Sequence, residues 1–331
     1  MLDYAYFPHI VEDALRRTDH TTLLALRLVN RRIKNLAEAE LFSHVLFTRA
    51  PGGKAYVLRA ADGKLPVPAW PTTDLPCPPD GDAARLLRLL AHTRVLDIHT
   101  SPPPGGPLLA ALARVPTRRS QHHHSPAARG TFVHEYAVYM ASHWRERRFC
   151  FDPPAGTERY VVHVRHHTNR TLHELYGPAP SAERILSRGP SARGTPPPAY
   201  ILVFSGCPEP CAPSVPTHGA AAGQRRIVHT LLYEFAEQFE ALRRAQRAQV
   251  TVVGAEDFVA SLCGATSTEE AGRLFESKLA LARRDMAGEE EDPCAPPVRY
   301  FSHGQYEALV GGRVYEAQTR PMTQRVNYFT L

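Results

Sequence analysis

The sequence predicts a mixed α/β protein with a mostly parallel sheet, preceded by a small helical module. Two observations carry this. From residue 44 onward, short runs of β-branched and aromatic residues alternate with stretches of helical apolar spacing, the pattern of βα units. Before residue 44 only helical spacing is present. The expected organisation is therefore a helical module over 5–43 and an α/β domain over 44–331.

The elements follow in order. Pro8 suits a first helical turn, because its missing N–H is not needed there. Ile10, Val11, Ala14 and Leu15 then recur at helical spacing. The run TDHTT interrupts them, and Asp19, Thr21 or Thr22 can cap a new helix. Leu23, Leu24, Leu26, Val29, Ile33, Leu36 and Ala37 form a stripe beside Arg27, Arg31, Arg32 and Lys34, with a break expected near Asn30. Residues 43–49 switch to a strand pattern. Residues 62–82 read as a proline-rich loop, and a helix, turn and strand with Val95, Leu96 and Ile98 come next. Further strands are expected over 131–140, 159–167, 199–206 and 249–257, with helices over 225–248, 256–263, 268–286 and 303–311. Residues 187–198 and 288–297 read as exposed loops. Strand starts fall at uneven intervals, so an irregular leucine-rich-repeat-like arc and a doubly wound sheet both remain open.

Composition narrows the class. Of 331 residues, 43% are hydrophobic, an ordinary globular value. The 30 prolines exceed the usual share of about 5% and cluster into loops. Six scattered cysteines do not make a disulfide framework and are expected to be reduced thiols in an intracellular, cytoplasmic or nuclear protein. The first ten residues lack the basic and apolar regions of a signal peptide, and no apolar run is long enough to span a bilayer. The net charge of +6 comes from 39 basic and 33 acidic residues that are interspersed. The basic runs at 115–125 and 243–249 lack interleaved aromatics, so they read as solvated surface and no specific nucleic-acid partner is expected. The stripe of Leu231, Leu232, Phe235, Phe239 and Leu242 reads as core packing.

Chemistry-bearing motifs are weak. Cys207 and Cys211, with His218 beyond, have a spacing zinc accepts, but no second cysteine pair follows. Histidines at 121–125 lie in a loop, and those at 163–167 alternate between faces of a strand. Neither a structural metal nor a cofactor is expected. Residues 204–208 follow a strand without the nucleophile-elbow pattern, and no phosphate-binding glycine loop is present. Glu256 and Asp257 are explained by helix capping. The chain thus reads as non-catalytic, with an α/β enzyme of unrecognised site as the alternative.

The first 42 residues resemble the F-box, the helical module that docks substrate receptors onto the adaptor of cullin–RING ubiquitin ligases. Phe7-Pro8 stands for the usual opening pair. Val11 and Leu15 match the first apolar positions, and Leu23, Leu24, Leu26, Arg27 and Val29 match the core of the second segment, with Arg31-Arg32 as its basic run. Ile33 replaces the usual tryptophan, and Ile10 replaces the usual acidic residue. The resemblance implies a eukaryotic substrate receptor. Its adaptor-binding residues would be Phe7, Pro8, Ile10, Val11, Leu15, Leu23, Leu24, Leu26, Val29 and Ile33. Its partners would be the ligase adaptor, the cullin scaffold and a protein substrate of unknown identity. A degenerate module that no longer binds the adaptor is the other outcome that the departure at Ile33 leaves open.

Overall fold

A computed structural model describes residues 8–50, 55–60, 66–71, 82–103, 105–120, 129–139, 153–167, 198–205, 248–255, 296–320 and 322, with single helical positions between 270 and 284. The chain divides into two compact units, 1–130 with 322–331, and 131–321. Both are built of α and β elements, and most strand pairs are parallel.

Three helices open the first unit: α1 (Pro8–Arg16), α2 (His20–Leu26) and α3 (Arg31–Leu41). Five strands follow, β1 (His44–Arg49), β2 (Ala55–Ala60), β3 (Pro66–Pro71), β4 (Val95–Ile98) and β5 (Thr117–Ser120). Two helices lie between strands, α4 (Asp82–Leu90) and α5 (Gly106–Ala113). The strands run in the order β5-β4-β1-β2-β3. β1 pairs parallel with β4, and β4 parallel with β5; β2 pairs antiparallel with both β1 and β3.

The sheet's alternation decides which side chains meet the helices. Val45 and Phe47 of β1, Leu58 of β2, and Leu96 and Ile98 of β4 share a buried cluster with Leu15, Leu23, Ala37 and Leu41. Each such leucine contributes about 1.5–3 kcal/mol through burial. The sequence boundary at 43/44 therefore separates two kinds of secondary structure, not two cores.

The second unit contains β6 (Thr131–Tyr139), β7 (Arg159–His167), β8 (Ala199–Ser205), β9 (Val250–Val253) and β10 (Arg299–Phe301). Every neighbouring pair is parallel, and the order follows the chain without reversal. Two helices close it, α6 (His303–Val310) and α7 (Gly312–Thr319). Their Tyr306, Val310 and Tyr315 pack against Val133, Val161, Val203 and Val253. Tyr306 also donates a hydrogen bond to Gln318 Oε1 at 2.7 Å, and burial pushes its hydroxyl pKa up to about 12.

Several sequence expectations need correction. The stretch 62–82 is not all loop, since Pro66–Pro71 forms β3. As the last strand of its unit's order it can carry prolines that have no N–H to give a further neighbour. The basic run at 115–125 is not all solvated surface either. Thr117–Ser120 is a strand, and Arg118 and Arg119 are buried. β2, β10, α5 and α7 also lacked a legible signal. The 303–311 helix is real but stops at Val310, followed by a separate helix. The expected helix at 256–263 and the residues Cys207, Cys211 and His218 lie outside the described residues, as do the expected helix at 225–248 except Ala248 and the expected loop at 187–198 except Pro198. Among the described residues no cluster of metal-ligating side chains occurs, and no helix is long and apolar enough to cross a membrane.

Candidate docking surface on the helical module

Local capping sets the module's shape. Asp19 caps α2 by accepting from Thr22 N at 3.1 Å and from Thr22 Oγ1 at 2.6 Å. These bonds from Thr22 hold the Asp19 carboxyl below its ordinary pKa. Asn30 caps α3, its Oδ1 accepting from Ile33 N at 2.9 Å. The long apolar stripe is thereby cut into two helices joined by a turn. In that turn Leu28 N donates to Ala25 O at 3.0 Å, and Val29 N donates to Leu26 O at 3.2 Å. Arg27 at the end of α2 donates to Glu38 Oε1 of α3 through Nη2 at 2.8 Å and Nε at 3.2 Å. The pair is only partly exposed and ties the two helices across the turn. An Asn30→Ala change should cost about 1 kcal/mol of thermal stability, the usual value of a lost cap, measurable as a lowered Tm.

The residues implied by the resemblance divide sharply. Leu15 and Leu23 are buried in the core beneath the sheet, so neither is available to a partner; this corrects their expected role. Val11, Leu24 and Leu26 are half-buried against the same core. Pro8 is the first residue of α1, as expected, and Ile33 is half-buried near the start of α3. Ile10 and Val29 face solvent, at 42% and 61% exposure. Phe7 lies outside the described residues. The largest exposed apolar side chain of the module is Leu28, at 88%. Sequence reading passed over it. The signal that could have found it is Asn30, whose cap puts the two residues before it in a turn.

A second polar constellation lies in the 131–321 unit. Ser205, the last residue of β8, has its Oγ 2.5 Å from His163 Nε2. Glu135 stands opposite His163 in the β6–β7 register, and both are buried. Next to Gly254, just after β9, His303 Nε2 lies 2.8 Å from Phe204 O, and Tyr315 Oη lies 2.9 Å from His303 Nδ1. Since a carbonyl only accepts, Nε2–H is the donor, and the Tyr315 hydroxyl donates to Nδ1.

Comparison of this chain with family models, with curated proteins and with solved structures found no match.

Proposed function

We propose that this chain is a non-catalytic receptor: its three N-terminal helices dock the adaptor of a cullin–RING ubiquitin ligase, and its α/β part recruits a protein substrate. The observation carrying this reading is the two-sidedness of the module. Leu15, Leu23, Ala37 and Leu41 anchor it inward, while Ile10 and Val29, two positions the resemblance assigns to the adaptor, stay exposed. Exposed apolar side chains at these positions are what a partner's groove can cover. The unreversed strand order of β6 to β10 favours an irregular repeat-like arc over a doubly wound sheet, whose order reverses at its switch point.

The test uses the full chain and purified adaptor–cullin complex. An Ile10→Asp, Val29→Asp double variant should fold normally by circular dichroism and bind at least ~30-fold more weakly, as for loss of an interface anchor. Absence of binding by the unmodified chain would instead favour a degenerate module.

Among the described residues, the His163–Ser205 contact favours an enzyme, since a hydroxyl beside an imidazole can serve as a nucleophile. Under the receptor reading, an alkyl fluorophosphonate leaves Ser205 unlabelled in the folded chain. Stoichiometric labelling lost in His163→Ala would reverse that conclusion.

A further inference from the structure

Resting on the adaptor-docking reading, we infer that the turn between α2 and α3 is the anchor of the interface, and that it enters an apolar pocket rimmed by acidic groups on the adaptor. Leu28 is the most exposed large apolar side chain among the described residues, and Val29 beside it is the next on this module. Such neighbours in a capped turn form a fixed knob. The bonds of Leu28 N and Val29 N back to α2, the Asn30 cap and the Arg27–Glu38 pair hold that turn from both sides. An anchor presented this way loses little conformational entropy on binding.

Charge selects the pocket. Arg31 and Lys34 follow the knob closely, both exposed, and no acidic residue occurs between Leu28 and Asn35. The nearest carboxylate in α3, Glu38, is already engaged by Arg27. The rim of the knob is therefore cationic. A basic pocket would repel it and a neutral one would gain nothing from it, whereas carboxylates around an apolar depression would complement it and steer association. The resemblance named Val29 in this turn, together with residues of α1 and the leucines of α2, but not Leu28, which the geometry makes the most exposed of them.

Three measurements on the full chain test this. Binding of purified adaptor–cullin complex to a Leu28→Asp variant should fall at least ~30-fold with an unchanged thermal melt. An Arg31→Glu, Lys34→Glu variant should bind ~10-fold or more weakly at low salt. The unmodified chain should lose affinity as salt rises, and this dependence should flatten in the charge-reversed variant. If the complex binds but neither variant weakens it, the anchor is elsewhere and only this inference falls. If the complex does not bind at all, the adaptor reading and this inference fall together. Entry of the knob into a lipid surface is the competing outcome. Binding of the chain to vesicles of phosphatidylserine and phosphatidylcholine, abolished by Leu28→Asp, would overturn the acidic-protein assignment.

Discussion

An Arg119→Met variant is expected to lose about 3–5 kcal/mol of stability, the cost of leaving a buried carboxylate without its partner. Asp97 lies in β4 and Arg119 opposite it in β5, with Leu46 of β1 completing the row. Both charged residues are almost wholly buried. The guanidinium donates to both carboxylate oxygens, Nε to Oδ1 at 2.6 Å and Nη2 to Oδ2 at 2.7 Å. His44 of β1 brings its Nε2 to 3.2 Å from Asp97 Oδ2. Burial alone would raise the Asp97 pKa, but hydrogen bonds from His44 and Arg119 and the attraction of Arg119 outweigh it. The carboxyl is held well below the usual carboxylate range.

The sign of the pH dependence follows. An aspartate titrates near ~3.9 in the unfolded chain and lower in the folded one, so its stabilisation is complete above that unfolded value. It is lost as pH falls from there toward the folded pKa. Acid unfolding of the wild type should therefore steepen below about pH 4, and an Asp97→Leu, Arg119→Met double variant should lack that component. The double variant should also recover much of the stability lost by the single one, since a well-packed apolar pair avoids the desolvation cost. Chemical denaturation at neutral and acidic pH measures both. A single variant within about 1 kcal/mol of wild type would show that water reaches the vacated site.

This ion pair also shows where the sequence was opaque. Strands β1, β4, β6, β7, β8 and β9 were legible because β-branched and aromatic residues recur in each short run. β5 reads TRRS, and nothing in that composition announces a strand. It is buried because Asp97, 22 residues earlier, supplies the counter-charge for Arg119. Arg118, on the opposite face, donates to the carbonyls of Ala113 at the end of α5 and of Arg129, both at 3.0 Å. Burial lowers its pKa to about 10, so it stays charged at neutral pH. Partners distant in the chain decide such strands, and local propensity misses them. The proposed docking surface was half legible for a related reason. Helical spacing found the leucines, but only the tertiary fold determines that Leu15 and Leu23 point inward and that the turn lifts Leu28 out.

The second large effect is expected at Gly254, where an alanine should destabilise the 131–321 unit by roughly 2–4 kcal/mol. Gly254 follows β9 and has φ +67°, in the left-handed region. A side chain there costs about 1–2 kcal/mol before any contact is considered. Contact adds to it: an added Cβ would fall on the His303 imidazole and lie 2.7 Å from Phe204 O. His303 has little room to retreat. Its Nε2–H donates to that same Phe204 carbonyl, and its Nδ1 accepts from Tyr315. Gly254 N in turn donates to Phe301 O at 3.0 Å, so the backbone at the end of β9 is held as well. The missing Cβ is thus what lets the start of α6 close over β8 and β9. The two contributions separate in a cycle. His303→Ala alone loses the imidazole's bonds, but in that background Gly254→Ala should cost only the conformational part plus the remaining contact with the carbonyl. Denaturant unfolding of the four chains measures the difference. If Gly254→Ala costs as much without His303 as with it, the imidazole is not what demands glycine at this position.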